Sequence, residues 1–426
     1  MKNVVIIGGG FAGINLALKL ADKPKTKVTL IDKNNYNFFA PLLYQVATGM
    51  LDVSSISVPI RTLFENKKNL HFRLGELKEI LPQENKVILN NGEIKYDYLV
   101  IATGTTSNFF GMKNIEENAL PMKTIDEAIL LRNTLLKVAE LATINKNKAE
   151  QVKLRNIVIA GAGPAGIEVA GMLAEMRNRS LKRIYPEFNE KQMHIYLIEG
   201  GNQVLSAMSD KARKYSRESL KKLGVIVKLN SFVTDYKDDT VFLKDGSSIP
   251  TKTLIWTSGV TAYKFKGIPE ESYDRGNRII VDEINKVQGT KNIFSIGDTC
   301  IQKTDEKYPN GHPQLGSVAT QQGHALAKNI TALINGKETT AFKYTDKGTM
   351  AIIGKNKAAA DMIYPKRTYT GWLAWAVWLL VHLFLLINYR NRMKTIWNWT
   401  TSYFIRTQSE GLLIGKTKIM PIVNTK

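Results

Sequence analysis

The sequence predicts an α/β protein built on two parallel, doubly wound sheets. Three observations carry that reading: an apolar strand runs into a glycine-rich turn near the amino end, the same order returns from Ile157, and each copy is followed by a β-rich excursion with a glycine-terminated closing strand. At 426 residues the chain is long enough for about two or three domains.

Residues Val4 to Asp32 form one βαβ unit. An apolar run leads into GGGFAG, then Ile14, Ala17, Leu18 and Leu20 recur at helical spacing, and VTLID supplies the next strand. Gly8, Gly10 and Gly13 have the GxGxxG spacing. Gly8 allows the tight turn, Gly10 lets backbone N–H groups approach a pyrophosphate, Gly13 permits close helix packing, and Asp32 at the next strand end can accept ribose hydroxyls. Residues 70–103 alternate short strands with turns at LPQEN and NNG, and end in YDYLVIATG, which returns to the sheet. Leu120 to Ala149 read as a helix and a lysine-rich connector.

The second copy, NIVIAGAGPAGIEVAGMLAEM, leads to the strand MHIYLIE and ends at Glu199, with Gly161, Gly163 and Gly166 at the same spacing. An acid there hydrogen-bonds an adenosine ribose and repels a 2'-phosphate, so the unphosphorylated nicotinamide cofactor is expected, a preference that nearby cations such as Arg213 temper. The charged run RNRSLKRIYPEFNEKQ lengthens this unit and is expected to be a surface helix and loop. After a second β excursion and TLIWTSGV, a further strand ends at Gly297 and Asp298, and a helix is expected over Val318 to Ile334. Two dinucleotide folds in one chain, with Asp298 placed to meet a ribityl or pyrophosphate group, point to a bound flavin and a transient nicotinamide.

The tail differs in kind. Trp372 to Ile387 is an apolar run short of the roughly 20 residues that cross a bilayer, and IWNWTTSYFI follows as an aromatic, amphipathic segment. Lys366, Arg367, Arg390, Arg392, Lys394 and Arg406 flank or divide these segments, and no acid occurs between Asp361 and Glu410. A helix pair lying in the headgroup plane of an anionic membrane is expected, with His382 as a packing or interfacial residue. The chain opens directly on a strand, so no cleavable signal is expected and the body is placed on the cytoplasmic side of the cell inner membrane, as a peripheral, monotopic protein.

Composition narrows the chemistry. One cysteine, Cys300, excludes an intrachain disulfide, a CxxC redox pair, a thiolate zinc site and a protein-ligated iron–sulfur cluster, and five histidines leave little for any metal. The net charge of +21 attracts polyanions, but the basic residues are spread along the chain without a zinc-finger or RNP pattern, so nucleic acid is not an expected partner.

With these motifs in place, the whole chain resembles the type II NADH:quinone oxidoreductases, single-subunit NADH dehydrogenases that do not pump protons. The resemblance rests on GGGFAG with Asp32, NFFAPLLYQVATG, VIATG, GAGPAGIEVAG, IWTSGV, IFSIGD, ATQQG and the tryptophan-rich tail. It implies two Rossmann-like domains of the disulfide-reductase-like type, FAD in the first, NADH in the second, menaquinone or ubiquinone as acceptor and a homodimer. The domains implied are 1–115 and 261–345 for FAD, 116–260 for NADH and 346–426 for membrane association. Carried over by position, Gly8, Gly10, Gly13, Asp32, Thr103, Gly104 and Asp298 hold FAD, and Gly161, Gly163, Gly166 and Glu199 hold NADH. Lys33, Gly297 and Gly259 complete the cofactor-binding set. Glu168 matches the family's glutamate near nicotinamide and flavin, with a role in positioning NADH or relaying protons. Gln321 and Gln45 are expected to line the quinone's access path.

One departure stands out. Family members carry a glutamine where this chain has Ser317, so headgroup binding is expected to differ, and a different lipophilic or soluble acceptor stays open. A sulfide:quinone oxidoreductase or disulfide reductase needs redox cysteines that this chain lacks. The tail itself is expected to be dispensable for transfer to small quinones.

Overall fold

The computed structural model describes residues 1–181, 184–185, 192–404 and 413. The chain divides into two compact units, the first made of Met1–Phe38, Ser57–Thr106 and Val260–Asp346. Its central sheet has five parallel strands in the order Ile293–Ser295, Tyr98–Ile101, Lys2–Ile7, Thr26–Asp32, Leu70–Leu74. Strand Lys2–Ile7 reads as a continuous apolar run because both of its faces are covered. Val4 and Ile6 pack with Ile14, Leu16 and Leu326 of helices Phe11–Leu20 and Gly316–Ile334. Val5 and Ile7 pack with Leu77, Ile80 and Val87 of a small antiparallel sheet. That two-sided burial is the condition under which a parallel strand loses its polar alternation.

Helix Gly316–Ile334 begins two residues before its expected start at Val318. Gly316 and Ser317 carry no apolar side chain, so periodicity could not reveal that first turn.

The second unit comprises Phe39–Ile56, Ser107–Gly259 and Lys347–Lys426. Its parallel sheet runs Leu120–Pro121, Thr253–Trp256, Asn156–Ala160, His194–Ile198, Val225–Lys228. Helix Ile125–Ile144 opens with a capping box in which the Glu127 N–H donates to Thr124 Oγ1 at 3.2 Å and the Thr124 N–H donates to the Glu127 carboxylate at 3.0 Å. The expected lysine-rich connector is partly a second helix, Lys148–Arg155, capped by Asn147. The charged insertion after Met176 falls partly outside the described residues.

Two segments sit elsewhere than the sequence blocks 1–115 and 346–426 imply. Residues 39–56 and the tail both group with the second unit. The tail is also more than a helix pair. It starts as an antiparallel sheet, Thr349–Gly354, Lys357–Met362 and Arg367–Gly371, and continues into helices Trp372–Leu385 and Tyr389–Phe404. The first strand lies directly on helix Pro164–Met176, where a side chain at Gly171 would collide with the Ile353 carbonyl. Ala351, Ala358, Ala359 and Ala360 are fully buried, and their small side chains suit this close layering.

Between the two tail helices the Arg392 guanidinium donates to the Phe384 and Leu386 carbonyls, each at 2.9 Å, satisfying groups that a helix end leaves open. His382 is a packing residue: its ring stacks on the buried Trp378 at 3.9 Å between centroids, its Nδ1 lies 2.9 Å from the Trp378 carbonyl, and burial lowers its pKa to about 4. Among the described residues no helix is long and apolar enough to cross a membrane.

Gly171→Ala is expected to force helix Pro164–Met176 and strand Thr349–Gly354 apart, at a cost of about 2 kcal/mol. Thermal unfolding checks this, and an unchanged Tm would contradict so close a layering.

Candidate functional site

In the first unit the turn after strand Lys2–Ile7 is shaped by its glycines. Gly8 has φ +108°, in the region that favours glycine, and its N–H donates to the Ile31 carbonyl at 2.8 Å. A side chain at Gly13 would strike the Gly8 carbonyl, whereas one at Gly10 would meet no atom within 4 Å. Gly10 is also the N-cap of helix Phe11–Leu20, which has no side-chain cap, so its first N–H groups face an open space suited to a phosphate. The half-buried Asp32 carboxylate accepts the Gly9 N–H at 2.6 Å and the Asn34 N–H at 2.7 Å. Burial raises its pKa; these two N–H groups and the charge of the exposed Lys33 oppose the rise.

Two further first-unit candidates, Thr103 and Gly104, meet at Thr299. Its hydroxyl accepts the Gly104 N–H at 2.7 Å and lies 3.3 Å from the Thr103 hydroxyl. Gly297 adopts φ +76°, and its N–H donates to Gln322 Oε1 at 2.7 Å. The Asp298 carbonyl accepts from Gln314 Nε2 at 3.1 Å. Gln322 was not singled out by sequence, although its place three residues after Ala319 in ATQQG puts it on the buried helix face.

Gln321 turns the other way along that helix, and its amide makes two bonds with the Thr345 backbone, at 2.9 and 3.1 Å. Ser317 sets its hydroxyl 2.9 Å from that of Tyr344. Cys300 is buried, which pushes its thiol pKa up to about 12, so it stays protonated.

The second unit repeats the first turn's geometry nearly atom for atom. Gly161 has φ +100°, its N–H donates to the Ile198 carbonyl at 2.8 Å, a side chain at Gly166 would strike the Gly161 carbonyl, and Gly163 is open. Helix Pro164–Met176 again has no side-chain cap. Glu199 plays Asp32's part, accepting the Ala162 N–H at 2.7 Å on one oxygen and the Gly201 N–H at 2.7 Å on the other. Gly259, at φ +80°, closes this end by accepting the Asn108 N–H at 3.2 Å. Arg213 is engaged by the Ser206 carbonyl and Asp210. Both turns therefore fit a dinucleotide: open glycine, uncapped helix start, and an acid already oriented by backbone N–H groups.

A third feature lies wholly in the second unit. A cavity of about 670 Å³ is lined by Gln45, Met172, Ile352, Leu379, Trp399 and Tyr403, among others. Gln45 is buried and fixed at both ends of its amide: Trp399 Nε1 donates to its oxygen at 2.7 Å, and its nitrogen donates to the Tyr44 hydroxyl at 2.8 Å. Glu168 is buried nearby on helix Pro164–Met176. Burial lifts its pKa to about 8, against an N–H bond from Ile352, so the carboxyl is largely protonated at neutral pH. Tyr44 is likewise raised, by burial and then by the charge of Glu168. Sequence reasoning had Gln45 and Glu168 but missed Tyr44, Trp399 and the strand above them. The tail also supplies much of the cavity wall.

Two family models match the chain, one over its body and one over its tail. Residues 2–323 match the pyridine nucleotide-disulphide oxidoreductase family, and residues 347–407 match the NDH2 C-terminal domain. A type II NADH:quinone oxidoreductase (NdhA) of Mycobacterium tuberculosis is 34% identical, over 96% of this chain and 88% of its own. The enzyme of the same description from Haemophilus influenzae is 30% identical over 85% and 87%. In fold, the chain is similar to NDH2 from Plasmodium falciparum, solved with NADH, at 22% identity and a TM-score of 0.88, covering 96% of this chain and 99% of that one. An Aquifex aeolicus sulfide:quinone oxidoreductase is also similar in fold, with a TM-score of 0.73 over 96% of each chain. From the paired turns, the buried glutamate and the tail that carries its own family signature, the chain belongs to the type II NADH:quinone oxidoreductases, FAD-dependent peripheral membrane enzymes that pass electrons from NADH to a membrane quinone without pumping protons.

Proposed function

We propose the following division of labour among this chain's residues. Gly8, Gly10, Gly13 and Asp32, with Thr103, Gly104, Gly297 and Asp298, hold FAD, and the second turn with Glu199 and Gly259 holds NADH. The observation that carries this is the repeated geometry in which an acid at a strand end accepts the N–H of the residue after the first glycine, in both turns. When bound, FAD supplies the hydride-accepting and electron-passing chemistry. The protein's part is to bind, orient and move protons.

Glu199 selects NADH over NADPH. Its two oxygens are already committed to N–H donors, which fixes a negative charge where a 2'-phosphate would lie.

The cavity beside Gln45 receives the quinone headgroup. Gln45 presents an amide whose direction is set by Trp399 and Tyr44. Glu168, a neutral carboxyl behind Tyr44, holds a proton for delivery toward the reduced headgroup. Once Glu168 gives up that proton, its charge opposes ionisation of the Tyr44 hydroxyl, which burial already disfavours.

The tail helices bring this cavity to the lipid. Trp372, Phe384, Tyr389 and Trp397 are largely exposed, and the exposed cations Lys366, Arg367 and Arg390 lie on the same tail. Aromatic bulk with unopposed cations suits the cytoplasmic face of an anionic membrane. Arg406 lies outside the described residues.

Glu199→Ser is expected to raise KM for NADH about tenfold and improve the relative use of NADPH. Steady-state kinetics with both cofactors check this, and an unchanged preference would remove Glu199 from the reading. A second test uses pH. Below about pH 4.5 Glu168 is protonated in folded and unfolded chains alike; between its ordinary 4.5 and its folded value of about 8 the folded chain alone keeps the proton. Stability from this group therefore falls as pH rises through that window, by up to about 1.4 kcal/mol per pH unit, and levels off above it. Denaturant unfolding of Glu168→Gln is expected to lack this part of the slope. Parallel curves for the two proteins would contradict it.

A further inference from the structure

The turn that carries Glu199 has a second feature that ribose recognition does not use. Phe232 is 52% exposed, and its ring lies against Gly200, the residue after the acid. A side chain at Gly200 would run into the ring, so glycine there is what lets the phenyl group settle on the turn. The backbone fixes this arrangement: the Glu199 carbonyl accepts the Ser231 N–H at 2.9 Å, and the Asn230 N–H donates to the Gly201 carbonyl at 2.9 Å. From the other side, the Lys244 N–H donates to the Phe232 carbonyl at 2.9 Å, and the Lys244 ammonium stands 5.6 Å from the ring centroid. A single exposed apolar side chain is ordinary on a protein surface. An aromatic ring anchored at its backbone, seated on a glycine and adjoining an acid held by two backbone N–H groups is a more specific arrangement.

We propose that Phe232 is the platform for the adenine ring of NADH. The inference rests on the reading of the second turn as the NADH site. The adenine hangs from the ribose that Glu199 reads, so it must fall within one sugar's reach of the carboxylate, and Gly200 puts the Phe232 ring at that distance. The purine face meets an apolar aromatic face and shields it from water, and the flexible Lys244 side chain swings outward to make room. The phenyl group makes no contact with the nicotinamide end, so it contributes to binding and leaves the hydride step unchanged.

The test separates adenine from the rest of the cofactor. For Phe232→Ala holoenzyme, calorimetry with ADP-ribose is expected to show a Kd about tenfold weaker, and KM for NADH is expected to rise by a similar factor with kcat unchanged. Reduced nicotinamide mononucleotide, which lacks adenosine, is expected to serve wild type and variant equally, and Phe232→Trp is expected to restore ADP-ribose binding. Equal ADP-ribose affinity in wild type and Phe232→Ala, or equal loss with the adenine-free donor, would overturn the assignment. Glu199→Ser in the same calorimetry tells the two readings apart. If it weakens ADP-ribose while Phe232→Ala does not, the platform alone fails; if neither variant does, the site itself is misplaced.

Discussion

The buried hydrogen bond from Trp399 to Gln45 is the constraint on which the proposed quinone cavity depends. Gln45 lies early in the chain and Trp399 near its end, and each is buried. An amide inside a protein is useful for recognition only when its orientation is fixed, and leaving its oxygen without a donor there is costly. The indole N–H supplies that donor from the tail. Neighbouring bonds reinforce the join: Thr395 donates to the Ser55 carbonyl at 3.3 Å and Asn398 to the Ser55 hydroxyl at 3.0 Å. The helix that bears exposed tryptophan on one side therefore orders the cavity on its other side, and in the proposed reading membrane association and quinone recognition draw on one element.

The donor end follows a different logic. Two turns with the same glycine pattern and the same acid-to-N–H bond offer the same kind of phosphate cradle, yet in the proposed reading one retains its ligand and the other releases it. The first turn and its helix lie against Thr103, Gly297 and the start of helix Gly316–Ile334, so several segments of the first unit can contribute to one bound molecule. The second turn opens on an exposed loop with the Phe232 ring beside it. That contrast fits a resident cofactor in the first and a substrate that comes and goes in the second.

Much of this was legible in the sequence because local rules determine it. The glycine spacing, the acids at strand ends and the apolar runs all encode backbone geometry within about thirty residues, and the strands and first helices lie where the pattern puts them. What was not legible depends on contacts far apart in the chain. The tail's composition shows its lipid-facing surface well, but alanines such as Ala358 to Ala360 give little periodic signal, so the sheet that covers Gly171 was hidden. Gln45 was picked out without its partner, since nothing local links residue 45 to residue 399. Glu168 drew attention by position, whereas its raised pKa follows from burial that tail strand Thr349–Gly354 helps to provide. The replacement at Ser317 was visible at once; its bond to Tyr344 was not.

The most direct measurement is anaerobic rapid mixing of the Trp399→Phe holoenzyme, following flavin absorbance first with NADH and then with quinone. Phenylalanine keeps an aromatic ring and removes the N–H. Reduction by NADH is expected to match wild type, and reoxidation by quinone is expected to slow about tenfold. Reoxidation at the wild-type rate would show that the tail's grip on Gln45 has no part in delivering electrons to the acceptor.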